Sequence, residues 1–103
     1  MSSEALRGPL ADCTAFQIDI LLALTDEYQS GADVRDQLTT RHGEVTHGNL
    51  YMNLDTLAED GLVAKERHYF DARTNGYALT ERGETVLGLY ARYVQAHADG
   101  GQQ

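Results

Sequence analysis

VTHGNLYMNLDTLAEDGLV, running from Val45 to Val63, is the stretch whose reading decides the fold. Leu50, Leu54 and Leu57 recur at i, i+4 and i+7, the spacing that puts side chains on one face of a helix. Thr46 is a good N-cap, because its hydroxyl accepts from an orphan backbone N–H, and Gly61 suits the left-handed position just past a helix end. Leu62 and Val63 then open a strand. The first turn reads Thr46, His47, Gly48, Asn49, with Asn53 one turn on. Helix propensity does not favour these residues, and an ordinary surface helix carries Glu, Lys or Ala there. Small and hydrogen-bonding groups at a helix start suit entry into a DNA major groove, where base edges are read by hydrogen bonds.

The segments on either side extend that reading. Upstream, Ser30-Gly31 breaks the chain and a shorter helix follows from about Ala32 to Arg41, anchored by Val34 and Leu38 and ended by His42-Gly43. Two helices joined by a short turn, the second with a polar start, form a helix-turn-helix. Downstream, Leu62 to Phe70 reads as a strand in which Val63, Lys65, Arg67 and Tyr69 share one face. Asp71 to Asn75 is expected to be the turn, with Asn75-Gly76 as the hairpin signal and Tyr77 and Leu79 on a short return strand. Such a hairpin is a wing. Arg73, Thr74 and Asn75 fall at its tip, with Lys65 and Arg67 behind.

Two further helices flank this unit. Thr14 or Asp12 caps the first, and Thr14 with Gln17 forms a capping box. Its residues Phe16, Ile18, Ile20, Leu21, Leu22, Ala23 and Leu24 are apolar nearly all round. A helix apolar on all sides is buried on all sides, so a second subunit is expected to cover part of it, through Phe16, Ile20, Leu21 and Leu24. Thr80 caps a last helix, expected over residues 80–98. Val86, Leu89, Tyr90, Tyr93, Val94 and His97 lie on one side of it. With Leu87 the apolar arc spans roughly 160°, wider than one core contact demands, and the expectation is a dimerisation helix. Residues 1–12 read as an arm, either disordered or docked on a partner through Leu6 and Leu10, and residues 99–103 as a disordered tail. The fold class is therefore mainly α with a small β-hairpin, a winged helix-turn-helix over 13–98 with a C-terminal dimerisation helix.

Composition narrows the function. Sixteen Asp and Glu face eight Lys and Arg, for a net charge of -8, and Lys65 is the sole lysine. Acid excess with scarce lysine resembles proteins of high-salt cytoplasms, where carboxylates hold hydrated cations. Surface-bound potassium or sodium is expected, and no cofactor is required. Nucleic-acid binders are usually basic, so this balance stands as an objection to be answered. No apolar run reaches 18 residues, which argues against a membrane span. The N-terminus lacks a basic start followed by an apolar block, so no signal peptide is expected. The single cysteine, Cys13, excludes an intramolecular disulfide and fits a reducing cytoplasm. It reads as packed rather than redox-sensing, since a sensor wants an exposed, low-pKa thiolate. His42, His47, His68 and His97 lack metal-ligand spacing, so no metal site is expected. No nucleophile–base pair or phosphate loop appears, which argues against an enzyme.

The residues Gly43 to Leu57, then Glu59-Asp60-Gly61-Leu62-Val63, then Tyr77-Ala78-Leu79-Thr80-Glu81-Arg82-Gly83, resemble the PadR-like winged helix-turn-helix regulators. Leu50-Tyr51 followed by spaced leucines and Gly61-Leu62 matches that family's recognition helix. Tyr77, Leu79-Thr80 and Gly83 match the entry to its last helix. The resemblance spans about Phe16 to Val94. It departs at Met52, where many members have proline, and in a short last helix, where members with a longer C-terminal domain bind effectors; no small-molecule effector is therefore expected. The resemblance implies a homodimer on double-stranded DNA, with a pseudopalindromic site.

The expected DNA contacts are Thr46, His47, Gly48, Asn49, Tyr51, Met52 and Asn53 on the helix, and Lys65, Arg67, Arg73, Thr74 and Asn75 on the wing. Asn can bridge adenine N6 and N7, and Thr or His can take phosphate or a base edge. Tyr51 is divided: its ring could pack beside Leu54 while its hydroxyl reaches a phosphate. The competing reading is a winged-helix protein-interaction module without DNA contact. Its marker would be apolar or acidic residues at the helix start and wing tip, where this chain has polar and basic ones.

Overall fold

The computed structural model describes residues 13–101, with the side chains of 97–101 outside the description. The expected N-terminal arm, the end of the tail and the side chain of His97 lie outside the described residues. The elements are α1 (Ala15–Ala23), β1 (Gln29–Ser30), α2 (Gly31–His42), α3 (His47–Glu59), β2 (Val63–Asp71), β3 (Thr74–Leu79) and α4 (Glu81–Gly101). This is a mainly helical winged helix-turn-helix with a small three-stranded antiparallel sheet, ordered β1-β3-β2.

Local chemistry sets most boundaries. The Thr14 hydroxyl accepts from Gln17 N while Gln17 Oε1 accepts from Thr14 N, both at 3.1 Å, which completes the capping box. Ser30 caps α2 through Asp33 N, and Gly43 closes it at φ 77°. Thr46 caps α3. At the far end of α3, Gly61 sits at φ 80°, its N–H donates to Ala58 O at 3.1 Å, and Leu62 N donates to Leu57 O at 3.0 Å. That bond pair is a Schellman motif, and it brings Leu62 onto Leu57 inside the core. The helix α4 continues to Gly101, past the end expected near residue 98; no proline interrupts it, and terminal boundaries drift by a residue or two.

The core collects Leu50, Leu54 and Leu57 of α3, all 0% exposed, with Ile20, Leu21, Leu24, Val34, Leu38, Leu62, Val63, Tyr77, Leu79 and Val86. Burying a leucine contributes about 1.5–3 kcal/mol. Three of them outweigh the poor helix propensity of the first turn of α3, a few tenths of a kcal/mol per residue and about 1 kcal/mol for Gly48.

Two expectations are corrected here. Ile20, Leu21, Leu24 and Val86 are not free to meet a partner, because the domain itself encloses them. The reason is that α1 packs against α2, α3 and α4 at once, so one chain buries the inner face of this apolar helix. On α1 and α4 the apolar residues left exposed are Leu22, at 57%, and Val94, at 45%, while Phe16, Leu89, Tyr90 and Tyr93 are half-buried. The second correction is the hairpin. The connection is Ala72-Arg73, and Asn75-Gly76 lies inside β3. Gly76 serves close approach instead of turning: a Cβ there would stand 2.9 Å from Tyr69 Cβ and 3.0 Å from a Tyr28 ring carbon. Those two rings stack across it at 4.6 Å. Asn75 Oδ1 accepts from His68 N at 3.0 Å, where β2 bulges and His68 takes φ 58°.

The Leu79-Thr80 and Gly83 motif has a packing cause. Thr80 Oγ1 accepts from Gly83 N at 2.9 Å and donates to Gly61 O at 2.7 Å, tying the start of α4 to the end of α3. A Cβ on Gly83 would overlap the carbonyl oxygen of Leu62, a backbone atom that cannot swing aside. Gly83→Ala is therefore expected to destabilise by about 1–3 kcal/mol in urea unfolding, as overpacking does. Unchanged stability would show that α4 does not need this approach.

Candidate nucleic-acid interface

The leucine face of α3 is committed to the core, so its opposite face is outward. His47, Gly48, Asn49 and Met52 are all exposed, Met52 at 63%. Thr46 spends its hydroxyl on the cap, accepting from Asn49 N at 3.3 Å. Gly48 has nothing within 4 Å of where a Cβ would sit, so the fold makes no demand for glycine there.

Tyr51 is half-buried. Its ring lies 4.3 Å from His47 and 6.0 Å from buried Tyr77, while its hydroxyl abuts Gly31 at the start of α2. A side chain on residue 31 would collide with it. Burial, then Tyr77, raises the phenol pKa, and Arg35 only partly opposes this. The hydroxyl thus stays protonated at neutral pH and can donate.

Helix and wing meet at a cleft of about 560 Å³ lined by Ser30, Ala32, His47, Tyr51, Arg73, Thr74 and Asn75. Five of the expected contacts, from α3 and from the wing, are brought together there. Ser30 and Ala32 were not anticipated; the signal was present in Ser30 as an N-cap next to Gly31, since the start of a helix presents free N–H groups. Arg35 is a second omission. Its Nε donates to Val45 O at 2.7 Å and so holds the turn that leads into α3.

Two expected contacts are otherwise engaged. Asn53 does not stand free on the outward face: its Oδ1 accepts from Gln17 Nε2 at 2.8 Å, and its Nδ2 donates to Asn49 O at 2.8 Å. It braces α3 against α1. Lys65 donates to Asp55 Oδ1 at 2.9 Å and sits at the root of the wing, away from its tip. Arg67 and Arg73 make no ion pair among the described residues and are exposed. The positive charge available on this face is therefore concentrated on the wing.

The family model for the transcriptional regulator PadR-like family matches residues 20–89. Among solved structures, the chain is similar to RosR in its S4 complex, at 39% identity, covering 89% of this chain and 79% of that one, with TM-score 0.81. It is also similar to RosR of H. salinarum grown from NaBr, at 40% identity over 84% of this chain and 78% of that one, TM-score 0.77. The zinc-responsive MarR family member ZitR of Lactococcus lactis shares the fold, at 24% identity over 89% of this chain and 60% of that one, TM-score 0.64. No curated protein sequence matches the chain.

The aim of Arg73 depends on the wing turn. Asp71 Oδ1 accepts from Arg73 N at 2.8 Å, and this bond, followed by Thr74, lowers the Asp71 pKa. A carboxyl whose folded pKa is depressed stabilises the turn fully above its unfolded value and loses that contribution as pH falls through the folded one. On acidification below about pH 4, the Arg73 amide resonance is expected to titrate with the Asp71 carboxyl, and Asp71→Asn should abolish that titration. A resonance indifferent to acid would refute the link.

Proposed function

The chain belongs to the PadR-like family of transcriptional regulators, and from that premise we propose that it is a sequence-specific DNA-binding regulator acting as a homodimer on a pseudopalindromic operator in high salt. Proteins of this family act by binding and not by catalysis. The observation that carries the proposal is the cleft in which His47 and Tyr51 of α3 face Arg73, Thr74 and Asn75 of the wing. The start of α3 enters the major groove. His47 and Asn49 offer hydrogen-bonding groups to base edges, and Gly48 lets the backbone come close. Arg73 takes a phosphate or the minor groove, and Tyr51 donates to a phosphate. Dimerisation uses the second half of α4 and the outer face of α1, where Val94 and Leu22 remain exposed. Two-fold symmetry then sets half-sites about 34 Å apart or a multiple of it.

The net charge of -8 is accommodated by salt. At 1 M the Debye length is about 3 Å, so repulsion between distant carboxylates and phosphates is screened out. Monovalent cations held between acidic groups and the DNA backbone bridge the two. Ordinary binders lose affinity steeply with salt because binding releases counterions; this protein takes cations up instead.

Selection from a random duplex library in molar potassium chloride tests the reading, followed by gel shift of the recovered duplex. Affinity is expected to be weak at low salt and to rise towards molar salt, as cation uptake requires, and Arg73→Ala should weaken it about ten-fold, the cost of one phosphate or groove contact. A steep decline with rising salt would sink the cation-bridging account, and recovery of no duplex would sink the DNA reading itself.

Gly48→Ala separates folding from contact. With open space around the added methyl, the variant should be as stable as the parent or more so by about 0.5–1 kcal/mol. Its DNA affinity should nevertheless fall. Equal affinity with raised stability would mean that the backbone of α3 does not approach the bases.

A further inference from the structure

Lys65 is the chain's sole lysine, and it stands where the wing leaves the regular sheet. The β2–β3 ladder is in step from Val63↔Leu79 to Glu66↔Gly76, slips, and resumes only at Asp71↔Thr74. Lys65 sits opposite Tyr77, one rung before the ladder's last regular pair. Past that point the bulge at His68 leaves little backbone pairing to set the direction of the wing. At this hinge the Lys65 ammonium reaches across to Asp55 on α3, at 2.9 Å. The other contacts of this kind among the described residues, the Arg41–Asp19 ion pair and the His42–Asp19 hydrogen bond, join α1 to α2; this one alone joins α3 to the hairpin.

We propose that Lys65 is a positioning residue: its ion pair with Asp55 fixes the angle between the wing and the recognition helix, and hence whether both can engage one duplex together. A half-exposed ion pair adds little to global stability. Its effect lies in the relative placement of two elements that each touch DNA. The hydrogen bond to Asp55 raises the Lys65 pKa, so the pair is ionised at neutral pH. An ammonium is a point charge on a flexible stem and meets a single carboxylate oxygen well, which accounts for a lysine here in a chain that otherwise uses arginine.

The consequence for affinity rests on the DNA-binding reading, whereas the consequence for wing mobility does not. The full-length chain is compared with Lys65→Met, Asp55→Asn, the double variant and the charge swap Lys65→Asp with Asp55→Lys. Two quantities are measured: nitrogen relaxation of the amides between Arg67 and Asn75, and anisotropy of a fluorescein-labelled duplex recovered by the parent from a random library. Each single variant should loosen the wing amides and weaken binding about five-fold. The double variant should be no worse than either, as for one shared interaction. The swap should recover most of both, with unfolding midpoints and the salt dependence of binding unchanged. Wing amides unaltered by Lys65→Met overturn the proposal whatever happens with DNA. So does a Lys65→Met loss that shifts the salt slope by about one while Asp55→Asn leaves binding intact, since that marks a direct phosphate contact. If the parent recovers no duplex, the DNA reading fails, and the relaxation data alone uphold or overturn the brace.

Discussion

The burial of Leu50, Leu54 and Leu57 governs the rest of the molecule. A helix with a committed face has no rotational freedom left. Once three leucines on one stripe are in the core, every other position on α3 is assigned a direction by 100° steps. His47, Gly48, Asn49 and Met52 face out because the leucines face in. The outward residues contribute almost nothing to holding the helix, so they are free to be chosen for what they touch. That division lets a first turn of weak helix formers survive. Packing and two caps, Thr46 and the Gly61 motif, hold the helix from the inside and the ends.

Net charge is a poor guide to such a surface, and the distribution of the few cations shows why. Arg35 is spent on Val45 O, Arg41 on Asp19 and Lys65 on Asp55. Those three organise the protein. Arg67 and Arg73 on the wing are left to face outward without a carboxylate partner among the described residues. A chain can be strongly acidic overall and still hold guanidinium groups outside any ion pair at one edge, here on the hairpin that also carries Glu66 and Asp71. At high ionic strength this local arrangement is what counts, because a charge more than a few ångströms away is screened.

What could be read from the sequence follows from the range of the interactions involved. The Thr14/Gln17 capping box, the Thr46 cap, the Gly61 turn and the leucine stripe are all settled within about one or two helical turns, and each reads directly off adjacent letters. The family motif covers the same local features. The misreadings share a different origin. Asn75-Gly76 looks like a turn, yet Gly76 answers to Tyr28, a residue far away in sequence and close in space. Asn53 looks outward from the leucine stripe alone, yet Gln17 on α1 claims its amide. Ile20, Leu21 and Leu24 look like surplus apolar surface until three other helices close around them. Strand β1 consists of two residues and exists only because β3 lies beside it. In each case a partner distant in the chain decides the outcome.

The same contrast explains how α3 is held on its polar sides. Two polar braces act on it, Gln17–Asn53 from α1 and Lys65–Asp55 from the wing. The first is an amide pair, neutral and therefore indifferent to screening. The second is an ion pair, but at 2.9 Å its charges are in direct contact, a separation no larger than the screening length of about 3 Å at 1 M. Longer-range attraction could not aim a wing under such conditions, because it would fade before it acted. In concentrated salt, elements of such a fold are placed by contact: leucines in the core, an amide bridge on one flank, a touching ion pair on the other. The recognition surface inherits its geometry from those contacts and not from the field of the whole molecule.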